Sequence, residues 1–112
     1  MIYWAPLFHF YQPPTQLYGM LQRVCNESYR PLLEVFREYP YAKATVNVQG
    51  VLTEMLFEGG FSDIIAGIRE LGERGQFEFT GSAKYHPILP LIPQHEMKRQ
   101  VSRNYLTNRY FF

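Results

Sequence analysis

A single cysteine, Cys25, stands among 112 residues. No internal disulfide can form, which excludes the small secreted scaffolds that rely on disulfide staples and fits a reducing compartment. No apolar run approaches the roughly 20 residues that a membrane-spanning helix needs. No charged leader with an apolar core and a small-residue cleavage site opens the chain. Charge of one sign is also lacking: 11 Lys and Arg oppose 10 Asp and Glu, for a net charge of +1. The charges are interspersed, so no basic patch speaks for nucleic acid and no basic amphipathic helix for a membrane surface. There is no internal repeat and no low-complexity segment. These absences predict a cytoplasmic protein with neither nucleic acid nor membrane as a partner; oligomeric state is left open.

Apolar and aromatic residues are plentiful. Hydrophobic content is 46%, and nine Phe, nine Tyr and one Trp bring the aromatic share to 17%. That composition fits a packed chain, and the length allows one domain or less.

Residues 2–11 predict a first strand. Trp4, Phe8 and Phe10 share one parity and Leu7, His9 and Tyr11 the other; Gln12-Pro13-Pro14 ends it. Residues 20–39 carry Leu21, Val24, Leu32, Val35 and Phe36 at helical spacing, with a kink, or a separation into two helices, expected near Ser28–Pro31. Residues 44–49 predict a second strand, with Val46 and Val48 on one face and Thr45, Asn47 and Gln49 on the other. A short helix over Val51–Phe57 stops at Gly59-Gly60. Ser62 is positioned to cap the next helix, whose stripe is Ile64, Ile65, Ile68 and Leu71. Gly75 closes that helix, and residues 76–80 predict a third strand. There Phe77 and Phe79 alternate with Glu78 and Thr80. A loop with Lys84, Tyr85, His86 and three following prolines leads to a last helix from about Gln94, with Met97, Val101 and Tyr105 on one stripe.

Strands alternating with helices imply β-α-β crossovers and a parallel sheet. Three strands are few for a parallel sheet, which needs helices on its faces and neighbours at its edges. The expected class is α/β, the beginning of a larger β/α barrel or sheet with parallel strands, with residues 1–112 as one piece without an internal boundary. A complete small three-stranded α/β domain is the simpler competing architecture.

His9, Asn47 and Glu78 each lie near the carboxyl end of a predicted strand, on its more polar face. Ligands of parallel α/β proteins bind outside those ends. If the apolar faces meet the helices, the three residues converge on one pocket, provided the strand registers agree. Each has a plainer explanation. His9 could be a hydrogen-bonded core histidine, Asn47 could satisfy backbone groups at a strand end, and Tyr85 and His86 could be ordinary loop residues. Glu78 is the most suggestive, because a carboxylate between two phenylalanines needs a partner or a ligand.

At these positions the sequence resembles glycoside hydrolase family 57, the thermostable amylase and glucanotransferase family. FHFYQPP at 8–14 is similar to its His-x-His-Gln-Pro motif: His9, Gln12 and Pro13 match, and Tyr11 stands where the second histidine would be. GQFEFTG at 75–81 resembles the family's Gly-x-x-Glu strand end, with Glu78 in the glutamate position. YHPILPL at 85–91 resembles the segment that follows, with His86 replacing a glutamate. The resemblance implies an incomplete (β/α)7 barrel acting on α-linked glucans by a retaining mechanism. It also implies that His9, Tyr11, Gln12, Asn47, Glu78, Tyr85 and His86 form part of a sugar-binding wall. Retention needs a carboxylate nucleophile and an acid/base; the resemblance implies that both come from strands beyond Phe112, that this chain holds no catalytic residue itself, and that no metal or other cofactor takes part.

Two other functions remain open on the residues. One is a metal-dependent carbohydrate hydrolase or deacetylase with His9, Glu78 and His86 as ligands. The other is a non-enzymatic α/β module whose exposed aromatics bind a partner chain.

Overall fold

The computed structural model describes Met1–Phe112 in full. Three strands, β1 (Leu7–Phe10), β2 (Ala44–Val48) and β3 (Phe77–Phe79), form one parallel sheet in the order β1-β2-β3. Helical segments separate them, as the alternating pattern requires. The register aligns Leu7 with Thr45 and His9 with Asn47; Thr45 in turn aligns with Glu78.

Alternation along the strands divides the sheet into two unlike faces. Phe10, Val46, Val48 and Phe77 lie on the helix-covered face and are 4% exposed or less. Phe8 packs against the same core, edge to face with Phe36 at 6.1 Å between centroids. Each such apolar side chain contributes about 1.5–3 kcal/mol through burial. The opposite face stays open: Leu7 is 61% exposed, and His9 and Glu78 are exposed.

The first strand is shorter than the aromatic run implies. Ile2, Tyr3 and Trp4 are almost wholly exposed. The Thr45 N–H donates to the Pro6 carbonyl at 3.0 Å. Residues before Pro6 precede the start of β2 and have no strand alongside, and Pro6 has no N–H to extend the ladder.

Helix α1 (Tyr18–Val24) runs into α2 (Arg30–Glu38) through a π-helical turn, Cys25–Tyr29. The Arg30 N–H reaches back five residues to the Cys25 carbonyl. Widening the helix just before Pro31 accommodates a residue that has no N–H and whose ring crowds the preceding turn. The kink expected at Ser28–Pro31 is thus a local widening. It keeps Cys25, Tyr29, Leu33 and Phe36 on the buried side.

Helices α3 (Gly50–Glu58) and α4 (Ser62–Glu73) end alike. Gly60 and Gly75 take φ of 82° and 71°, where only glycine is unstrained. The Phe61 N–H returns to the Leu56 carbonyl at 2.8 Å, and the Gln76 N–H to the Leu71 carbonyl at 2.9 Å. Both are Schellman closures. The first places buried Phe61 at the cap position of α4, so Ser62 becomes the first helical residue and makes no capping bond, contrary to the sequence expectation.

Helix α5 (Gln94–Phe111) follows a short 3₁₀ turn, Leu89–Leu91. Its buried face is also not the expected one. Val101 and Tyr105 are exposed, whereas Gln100 and Asn104 are buried. Gln100, Asn104 and Asn108 recur every four residues and serve backbone groups. The Gly50 N–H donates to Asn104 Oδ1 at 2.7 Å. Asn108 Nδ2 donates to the Val48 carbonyl at 2.6 Å, and the Tyr85 N–H donates to Gln100 Oε1 at 3.1 Å. The first turn of α3 has no side-chain cap of its own. Unpaired backbone groups are costly when buried, so amides outcompete aliphatic side chains here. No helix is long and apolar enough to cross a membrane.

Candidate functional site

The carboxyl ends of the strands bring polar groups of the open face together. His9 Nδ1 lies 2.8 Å from Asn47 Oδ1 across the β1–β2 pair. Asn47 Nδ2 donates to Thr80 Oγ1 at 3.1 Å, just past β3. Gln49 Nε2 donates to Asn47 Oδ1 at 3.0 Å and to Ser82 Oγ at 2.8 Å. One hydrogen-bonded chain therefore spans all three strands. Asn47 sits at its centre, where neighbouring strands approach within side-chain reach.

Beside this chain stands a small aromatic cluster. His86 meets His9 edge to face at 4.6 Å between ring centroids and Tyr11 at 4.8 Å. Tyr11 stacks on His9 at 6.2 Å with an interplanar angle of 22°. His86 has φ of 54°, the only non-glycine residue with positive φ. Side chains other than glycine, Asn and Asp rarely accept that conformation, and it costs roughly 1–2 kcal/mol. The proline-rich loop thus holds the imidazole against the strand ends at an energetic cost, a pattern that clusters at ligand sites.

The remaining candidates lie further out. Gln12 faces the helices: its Nε2 is 3.4 Å from the Tyr29 hydroxyl, and its Oε1 accepts from Gln16 at 2.7 Å. Burial pushes the Tyr29 hydroxyl's pKa up, and the Gln12 contact partly offsets that. Tyr85 is exposed on the loop, with the Lys84 ammonium 5.6 Å from its ring centre. Lys84 itself is 7% exposed and pairs with Glu54 at 2.5 Å. A buried ammonium needs such a partner.

Glu78 does not join the polar chain. The register pairs it with Thr45, one layer nearer the amino end of the sheet than Asn47. It is exposed and borders a hollow of about 360 Å³ that also meets Trp4 and Lys43. His9, Asn47 and Glu78 thus share a face, but only the first two touch. The same displacement leaves the metal alternative without its ligand set, since no three His, Cys, Asp or Glu side chains gather anywhere in the chain.

Gln49, Thr80 and Ser82 belong to the polar chain but were not singled out from the sequence. Gln49 shares strand parity with Asn47, and Ser82 lies in the short polar stretch just after the third strand; both signals were legible. A groove of about 750 Å³ between β3 and α5 reaches Thr80 and Ser82 and is lined by Phe79, Tyr105, Leu106 and Phe112.

Known proteins share this arrangement of sequence and fold. Residues 6–111 match the model of glycosyl hydrolase family 57. An α-amylase of Pyrococcus horikoshii is 34% identical over 93 residues, which cover 83% of this chain and 14% of that protein. An α-amylase 1 of Dictyoglomus thermophilum is 30% identical over 99% of this chain and 16% of its own length. The crystal structure of 4-α-glucanotransferase from Thermococcus litoralis superposes with a TM-score of 0.88 at 29% identity, over 96% of this chain and 17% of that one. The chain thus spans about one-sixth to one-seventh of the relatives it matches. With the family model matched from Pro6 to Phe111, this chain belongs to glycosyl hydrolase family 57.

Proposed function

We propose that this chain is the N-terminal part of an α-glucan hydrolase or glucanotransferase, and that it forms one wall of the sugar site. The observation that carries the reading is the hydrogen-bonded chain His9–Asn47–Thr80 at the strand ends, flanked by the rings of Tyr11 and His86. Sugars are bound by groups of this kind: fixed polar side chains for hydroxyls and ring faces for the C–H surface. His9 and Asn47 would meet hydroxyls, Tyr11 and His86 the ring, and Tyr85 and Glu78 the flanks, with Gln12 behind them on the helix side. The relatives are α-amylases and 4-α-glucanotransferases, which supports an α-linked glucan as substrate.

The proposed architecture is that of the first three units of a (β/α)7 barrel, with the open face of the sheet turned toward the barrel interior. The open face bears one carboxylate, Glu78. Retaining chemistry needs two carboxyl groups about 5–5.5 Å apart; a single carboxylate does not make that pair, and in the proposed scheme both the nucleophile and the acid/base come from strands outside these 112 residues. The reaction needs no cofactor in this scheme.

Titrating the chain with maltoheptaose, followed by NMR and by a reducing-end assay, tests the reading. Shifts concentrated at His9, Tyr11, Asn47 and His86, reduced in His9→Ala and without release of reducing ends, are expected. Shifts that ignore these residues, or that cello-oligosaccharides reproduce equally, overturn the α-glucan assignment. Hydrolysis by the 112 residues alone overturns the placement of the catalytic pair.

A further inference from the structure

Gln49 is 1% exposed, and its Oε1 is buried with no hydrogen-bond partner. An orphaned amide oxygen requires an explanation, because turning the amide end for end is the usual remedy. Here the remedy is worse. Both hydrogens of Gln49 Nε2 are used, one on Asn47 Oδ1 and one on Ser82 Oγ. Reversing the amide would present Oε1 to Asn47 Oδ1 and force Asn47 to reverse as well. The buried end of Gln49 would then hold two unpaired donors in place of one unpaired acceptor, and orphaned donors are the rarer of the two.

The direction of the whole chain follows. Asn47 must present Oδ1, a pure acceptor, to both Gln49 and His9. A neutral imidazole facing an acceptor with Nδ1 must carry its proton there. No protein group bonds to His9 Nε2, which is left with a lone pair.

We propose that Gln49 is a positioning residue: acting through Asn47, it fixes the His9 proton on Nδ1 and leaves Nε2 as a hydrogen-bond acceptor at the strand ends. The inference rests on the sugar-site reading for its purpose, since such an acceptor suits a sugar hydroxyl, whose O–H can donate. It does not rest on that reading for its test. Gln49 makes no hydrogen bond to His9 and reaches it through the amide of Asn47.

Long-range ¹H–¹⁵N correlation on the ligand-free protein at pH of about 8, where histidine is neutral, reads the tautomer directly. In the unaltered protein His9 should carry its proton on Nδ1. In Gln49→Glu the side chain accepts only, so Asn47 turns its Nδ2 toward positions 49 and 9, and the His9 proton moves to Nε2. Asn47→Asp offers acceptors at both ends and should keep the proton on Nδ1, alone or combined with Gln49→Glu. A proton on Nε2 in the unaltered protein overturns the proposal without any variant. An unchanged tautomer in folded Gln49→Glu overturns it equally. If the tautomers behave as stated but maltoheptaose binds to no form, the positioning role stands and the sugar-site reading fails.

Discussion

Helix α5 is held by amides, and replacing one of them tests whether those amides carry the load ascribed to them. Asn104 is 2% exposed, and its Oδ1 receives the Gly50 N–H at 2.7 Å, at the start of a helix with no cap of its own. Asn104→Ala leaves that buried donor unpaired. An unsatisfied buried group costs about 1–3 kcal/mol, and a lost N-cap costs about 0.5–2 kcal/mol. The two ranges describe the same loss, so the expected destabilisation is about 2 kcal/mol. With a urea slope of about 1–2 kcal/mol/M for a small domain, the midpoint should fall by about 1–2 M. Asn104→Asp keeps the acceptor and places negative charge at the positive end of α3; it should lose less than half as much. Hydrogen exchange at the Gly50 amide supplies the local readout and should quicken in Asn104→Ala. A loss below about 0.5 kcal/mol, or unchanged Gly50 exchange, would show that α5 is held by its apolar contacts and that the amide bonds are incidental.

Other measurements bear on the site and its supports. Glu96 is held at about 2, first by hydrogen bonds from Arg99 and then from Gln100, against an ordinary 4.5. A depressed carboxylate stabilises above its ordinary value and loses that contribution as pH falls toward 2; in Arg99→Gln its NMR titration should return toward 4.5, and an unmoved titration refutes the pairing. His86→Gly relieves the strain at φ of 54° but adds glycine's backbone entropy. Urea denaturation should therefore show a change within about 1 kcal/mol, while the maltoheptaose shifts at Tyr11 and His9 shrink; shifts that stay intact remove His86 from the site. Burial pushes the Cys25 thiol up to about 11. Cys25 should label with an aromatic disulfide reagent only on unfolding, and rapid labelling of the native protein contradicts its packing.

Much of the fold was legible in one dimension. Period-two alternation placed Phe8, Phe10, Val46 and Val48 on the covered face, and the isoleucine stripe placed α4. Gly75 marked the closure of that helix. Misreadings arose where a residue's role depended on a distant partner. Met97, Val101 and Tyr105 look like a buried stripe, yet the buried one is Gln100 and Asn104, because uncapped backbone on α3 and the loop lies opposite. Ser62 looks like a cap, yet the Schellman closure at Gly60 delivers Phe61 to that position. Residues 2–5 look like strand, yet nothing lies beside them to pair.

The candidate site divides in the same way. Local chemistry alone determined which polar residues share the open face: His9, Asn47 and Glu78 follow from parity, although Glu78 sits one layer nearer the amino end than expected. It also determined the α/β class, since a helix of 3.6 residues per turn and a strand of two impose different spacings on apolar residues. Only the tertiary structure decided which of those polar residues meet. The β2–β3 register sets Glu78 beside Thr45 and leaves Asn47 to Thr80, and register is a relation between two strands that neither encodes by itself. The tertiary structure alone also brought His86, separated from His9 by 77 positions (86 − 9), to within 4.6 Å of its ring. It likewise buried Gln49 so completely that the direction of one amide bears on which nitrogen of a histidine stays free.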